Sequence, residues 1–219
     1  DLAADCPRAT FEGWRRHVFV DLGFSGKVGR YHDPANSYLT EVVRRRMGLP
    51  ITRSVVGIEL ARRVGLTLVG VGMPGHFLLR SVDDPDLFVD PFDSGRVIDR
   101  AGCEERFRSA LGNAPARAVP FLDSYLEPVG PRAVLTRMLA NLKSVFYRRG
   151  DLANLEWVLS LRLAIPGVPA MERRDRARAR AASGLLVEAA DELEELAMVL
   201  PDSAADLERE ALSLRARLN

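Results

Sequence analysis

Two cysteines in 219 residues, Cys6 and Cys103, stand far apart and form no CxxC pair, which argues against a disulfide framework and against a cysteine-built zinc site. Histidine is scarcer still in proportion: His17, His32 and His76 share no metal-ligand spacing, so no metal is expected, and no motif in the chain calls for a cofactor. Lysine is almost absent. Lys27 and Lys143 are the only two among 31 basic residues, and the rest are arginine. The net charge of +1 supplies no global field for nucleic acid. No apolar run approaches the roughly 20 residues that a membrane span needs. The opening residues, Asp1-Leu2-Ala3-Ala4-Asp5, lack the basic and apolar regions of a secretory leader, and a reducing cytoplasm is the expected compartment.

What is present is ordinary globular material. Hydrophobic residues make up 47% and charged residues 28%, enough to bury a core without covalent staples. Phe11, Trp14, Val18 and Leu22 fall at helical spacing, with Thr10 as a candidate cap. A second helix is expected to reach Met47, capped by Asn36 or Ser37. A third spans about 51–64, with Val55, Ile58, Leu60, Ala61 and Val64 turned inward and Gly65 as its stop. The character then changes. Residues 66–71, 76–82 and 87–90 read as short strands, the last two joined by a turn at Asp83-Asp84-Pro85-Asp86, and Val97-Ile98 adds a fourth. A helix over about 103–111 follows. Helices followed by a small antiparallel sheet predict an α+β fold over residues 1–125.

From Pro131 the pattern is wholly helical, with helices expected at 131–148, 152–164, 171–183, 186–199 and 203–217. Gly150 and Gly184 are 184 − 150 = 34 residues apart, and each is followed by an apolar, alanine-bearing helix and then a proline, Pro166 and Pro201. That period resembles tetratricopeptide helix pairs, in which glycine permits the tight turn and proline ends the second helix. Residues 126–219 are therefore read as a tetratricopeptide-like region. Within it, Arg173, Arg174, Arg176, Arg178 and Arg180 form a basic run without interleaved aromatics. Ion pairing with Glu188, Asp191, Glu192, Glu194 and Glu195 on a stacked helix accounts for it better than a nucleic-acid surface does.

One constellation carries chemistry. A His on an apolar strand, His76, precedes an Asp on the next strand, Asp90, in the order of the second and third members of a nucleophile–His–Asp triad. In thiol enzymes of that order the nucleophile opens a helix, where the helix dipole lowers the thiol pKa. The residue at that place is Ser54, not cysteine. A serine needs a general base at hydrogen-bond distance to attack, so a Ser54 that caps or packs at the helix start is the plainer reading. His76 and Asp90 can persist as a hydrogen-bonded pair for stability alone. Asn36 and Tyr38 either brace the site or, for Asn36, cap a helix. Gly75, beside His76, meets a backbone need. Cys103 stands after the Asp in chain order, which favours a small buried residue over a displaced nucleophile.

The stretch Tyr31-His32-Asp33-Pro34-Ala35-Asn36-Ser37-Tyr38-Leu39 resembles the YxDPxNSYL signature of SirB-type proteins. Arg45-Arg46-Met47-Gly48-Leu49-Pro50-Ile51-Thr52, Val71-Gly72-Met73-Pro74-Gly75-His76-Phe77-Leu78-Leu79-Arg80 and Val89-Asp90-Pro91-Phe92 follow in the same order, then Arg137-Met138-Leu139-Ala140-Asn141-Leu142-Lys143 and Arg173-Arg174-Asp175-Arg176. The resemblance implies a transglutaminase-like, papain-like α+β domain followed by tetratricopeptide-like helices. Enzymes with the transglutaminase-like triad use Cys, His and Asp for acyl transfer or amide cleavage; the corresponding positions here are Ser54, His76 and Asp90. The implied activity is binding of a protein or peptide partner, in the former active-site cleft or on the helical surface, without membrane or nucleic acid. The competing expectation is an amide hydrolase or acyltransferase with Ser54 as nucleophile, His76 as base and Asp90 as orienter.

Overall fold

The computed structural model describes residues 7–24, 32–112 and 119–218; Cys6 and Tyr31 lie outside them. The chain divides into two compact units, Asp1–Val134 and Leu135–Asn219.

The first unit opens with α1 (Pro7–Arg16), which widens into a π-helical turn over His17–Asp21. A single turn of 3-10 helix (Pro34–Asn36), α2 (Leu39–Arg45) and α3 (Pro50–Arg63) follow. The strands are β1 (Leu68–Val71), β2 (Leu78–Ser81), β3 (Phe88–Asp90) and β4 (Arg96–Ile98); α4 (Arg100–Leu111) and the two-residue β5 (Pro128–Val129) complete the unit. The sheet is antiparallel in the order β4-β3-β2-β1-β5. With helices before and after it, this is an α+β fold.

Alternation along the strands explains how the sheet is covered. Leu79 of β2 and Val89 of β3 are directly paired and face a cluster built by Phe11, Trp14, Val18, Val42 and Ala61 from α1 to α3. The neighbouring Leu78 and Phe88 face the other way, against Cys103 and Phe107 of α4 and Leu126. The central strands are thus buried on both faces, and each such Leu or Phe contributes roughly 1.5–3 kcal/mol of burial.

Three expectations about the helices need correction. Thr10 lies inside α1 rather than at its cap. The N-cap of α2 is Tyr38, with no side-chain hydrogen bond, so neither Asn36 nor Ser37 caps it. Val64 is exposed, and the buried set of α3 is Ile51, Thr52, Arg53, Ser54, Gly57 and Ala61. Ile58 and Leu60 pack against the core and Ala61 lies in it as expected, while Ile51 to Ser54, at the start of α3, are buried whether apolar or polar.

The second unit is helical throughout: α5 (Pro131–Arg149, entering from the first unit), α6 (Leu152–Leu163), α7 (Glu172–Ala182), α8 (Leu186–Val199) and α9 (Ala204–Ala216). From α6 onward each helix packs on the next. Gly150 (φ +64°) and Gly184 (φ +88°) both occupy the left-handed region, where a side chain is disfavoured, at the turns that precede α6 and α8. The α7–α8–α9 core is rich in alanine: Ala177, Ala181, Ala189, Ala190, Ala197 and Ala211 pack around Leu193, Leu196 and Leu207. All five arginines of the basic run are ion-paired. Glu192, 4% exposed, holds Arg173 at 3.4 Å, Arg176 at 2.5 Å and Arg180 at 3.1 Å, while Glu210 takes Arg174 at 2.8 Å and Arg178 at 2.7 Å.

Candidate functional site

Ser54 sits in the first turns of α3, as the sequence indicates, but is completely buried, and its hydroxyl donates to the Pro50 carbonyl at 2.9 Å. A serine bonded back to the carbonyl four residues earlier has its proton committed within its own helix. Cys103, in the first turns of α4, is also fully buried, and loss of hydration pushes its thiol pKa up to about 12. A thiol in that state is almost wholly protonated near neutrality and is a poor nucleophile.

Asp90 ends β3 and is completely buried. Its Oδ1 accepts the backbone N–H groups of Phe92, at 2.8 Å, and Asp93, at 3.3 Å, and so fixes the turn into β4. Its Oδ2 faces the Arg106 guanidinium at 3.1 Å, off the angle of a hydrogen bond. Arg106, on α4, also pairs with Asp93. The ladder Leu79↔Val89, Arg80↔Phe88, extended by one residue, sets Leu78 opposite Asp90, and the partly exposed His76 stands two residues before Leu78. His76 leaves the Met73–His76 turn with its N–H donating to the Met73 carbonyl at 3.1 Å. Gly75 gives that turn its shape. Its φ is +79°, and a Cβ there would stand 2.4 Å from Ala110 Cβ of α4.

Asn36 is buried, and its carbonyl accepts both the Leu49 N–H at 3.2 Å and the Thr52 hydroxyl at 2.8 Å. It thereby ties the segment before α2 to the start of α3. Tyr38, partly buried, precedes the first residue of α2.

Sequence reasoning missed two residues. Arg53, beside Ser54, is 1% exposed, and Nε, Nη1 and Nη2 all lack a hydrogen-bond partner among the described residues. Burial lowers its pKa to about 10, against an opposing pull from the Asp90 carboxylate. Arg106 is the other. Arginines on helices usually face water, and neither has a sequence signal that sets it apart. Arg106 lies against the Asp90 carboxylate, and Arg53 feels its charge.

Two clefts stand out. One, of about 700 Å3, lies along β4 and the first turns of α4; Arg106 lines it, and Ser54, His76 and Asp90 do not. The other, of about 660 Å3, lies among α5, α6 and α7, with Leu152, Leu155 and Leu159 below and Lys143, Tyr147 and Arg178 beside them. Among the described residues no group of His, Cys, Asp or Glu is arranged to hold a metal ion, and no helix is long and apolar enough to cross a membrane.

Comparison with known proteins agrees with this architecture. Residues 3–140 match the transglutaminase-like superfamily. A UPF0162 protein of Xylella fastidiosa is 47% identical over 133 residues, covering 60% of this chain and 47% of its own. A UPF0162 protein of Vibrio cholerae is 28% identical over 177 residues, 77% of this chain and 62% of its own. Human F-box only protein 21 is 30% identical over 142 residues, 61% of this chain and 21% of its own. The chain spans about half the length of the first two UPF0162 relatives, which are from Xylella fastidiosa. No solved structure matches. With well over half of its residues inside that match, the chain belongs to the transglutaminase-like superfamily.

Proposed function

We propose that this protein binds a protein or peptide segment and does not catalyse acyl transfer, its Ser54, His76 and Asp90 being a vestige of the superfamily's triad. The observation that carries the reading is Ser54: fully buried, with its hydroxyl donating to Pro50. An attacking serine must offer a lone pair to substrate and its proton to a base, and a hydroxyl that donates to a helix carbonyl in the interior does neither. The high pKa of the buried Cys103 thiol removes the described cysteine as a substitute. Asp90, whose carboxylate holds a turn and faces Arg106, has a structural role that keeps it useful without catalysis. We read residues 126–219 as tetratricopeptide-like, which supplies a helical surface for partner segments.

The test is labelling with a fluorophosphonate, which phosphonylates activated serines with loss of fluoride. No modification at Ser54 is expected in the full chain. Stoichiometric labelling that disappears in Ser54→Ala would establish the Ser-His-Asp hydrolase instead.

A further inference from the structure

β4 is an outer strand of the sheet, and among the described residues nothing pairs with its far side. In an antiparallel sheet every second residue of an outer strand points its backbone N–H and C=O away from the sheet, ready to receive another strand. Arg96 and Val97 are exposed, and the strand lines a cleft. All three β4 residues form one wall of the 700 Å3 cleft, and the first turns of α4 form the other. Gly102 brings the helix close: a Cβ there would stand 2.8 Å from Ile98 Cβ. A channel between an outer strand and a helix suits an extended chain that adds to the sheet with one row of its side chains in the channel.

Charge selects the occupant. Arg106 faces Asp90 and pairs with Asp93, and Arg96 lies 3.6 Å from Asp93. The Asp99 carboxylate caps α4 by accepting the Gly102 N–H. Asp84, Asp86 and Glu105 are exposed and form no ion pair among the described residues. The uncommitted charge of the channel is therefore negative. Val97, 37% exposed, adds an apolar contact on the strand itself. We propose that β4 receives an extended segment of a partner protein, added as a sixth strand, with lysine or arginine at alternate positions. A second copy of this chain fits poorly, because β4 carries a single basic residue, Arg96, which lies 3.6 Å from Asp93, and so brings no row of free cations to the channel.

This inference rests on the peptide-binding reading and fixes its site and partner chemistry. The experiment presents the full chain to a displayed library of random octapeptides and remeasures selected sequences as synthetic peptides by fluorescence polarisation. The expected winners carry Lys or Arg at every second position and weaken as salt is raised. They should also lose about tenfold or more in affinity when alternate amides are N-methylated in the phase that faces β4, and little in the other phase. A similar loss is expected with the Asp84→Asn, Asp86→Asn, Glu105→Gln variant, whose fold is checked by circular dichroism. Winners that bind the variant and the N-methylated forms unchanged overturn the β4 site while leaving peptide binding in place. A library that yields no winners overturns the peptide-binding reading itself. A dimer in solution that the triple variant strengthens would assign the edge to a second copy, which also overturns the proposal.

Discussion

Replacing Arg53 with methionine should stabilise the first unit. The side chains have comparable length, and methionine adapts to irregular interior space. The arginine is buried, its three guanidinium nitrogens make no hydrogen bond among the described residues, and burial lowers its pKa to about 10 in spite of Asp90. That fall corresponds to about 3 kcal/mol of penalty on the charged form. Replacing buried charge by a well-packed apolar side chain is neutral or stabilising by about 1–4 kcal/mol in other proteins. Asp90 loses one attraction but keeps Arg106 and two backbone donors. The expected gain is about 1–3 kcal/mol, or roughly 3–10 °C in melting temperature for a unit of this size. The readout is urea unfolding followed through Trp14, which is buried and donates to the Gly57 carbonyl of α3 at 3.2 Å, in a Trp157→Phe background that leaves it as the sole tryptophan. The pH dependence has a definite sign. A cation whose folded pKa is lowered carries its penalty at every pH below about 10, so the gain should be flat from pH 6 to 9. It should shrink above about 10, where the native state releases the proton before the unfolded chain does. A loss of 1 kcal/mol or more on Arg53→Met would refute the reasoning, since it would mean the guanidinium is well solvated or bonded where it lies.

Other perturbations follow from the same geometry. Glu192→Gln removes the one carboxylate that Arg173, Arg176 and Arg180 share and should destabilise the second unit by about 3–5 kcal/mol, read through Trp157 of α6 in a Trp14→Phe background. Gly75→Ala forces an ordinary side chain into φ +79° and against Ala110; a loss of about 1–3 kcal/mol from backbone strain plus the clash is expected, and Ala110→Gly should restore only the part due to the clash. Native Cys103 should resist a thiol reagent until the first unit opens. Because its folded pKa is raised from 9.0 to about 12, its unfolded form ionises first, so stability should fall as pH climbs from about 9 towards 12, by up to about 4 kcal/mol, and Cys103→Ala should flatten that decline.

The helices after Pro131 were legible almost to the residue, because glycine and proline punctuate them and their apolar spacing is regular. The places of β1 to β4 in the chain and the antiparallel character of the sheet were legible from short apolar runs separated by turns. β5 was not: two residues, one of them Pro128, carry no alternation, and the pairing with β1 is set by tertiary packing alone. The π-helical turn at His17–Asp21 escaped notice because the same apolar residues satisfy a tighter helix. At the site, Ser54 falls in the expected helix and Asp90 on the expected strand, but His76, expected on a strand, stands in the turn that precedes β2, because Gly75 at φ +79° closes that turn first. Ser54, His76 and Asp90 could be picked out by type and order, yet what Ser54 and Asp90 bond to depends on Pro50, Phe92, Asp93 and Arg106, whose roles come from burial and direction rather than from spacing.

The placement of β5 also sets the order in which this molecule can be completed. β1 to β4 are successive hairpin neighbours and can associate while the chain is still emerging from the ribosome, but Val71 meets Pro128 only 128 − 71 = 57 residues later. Until then the β1 margin stands open in a nascent chain, and closing so long a loop is slow relative to the local stacking of the helices that come after it. That interval is when a chaperone has most to shield.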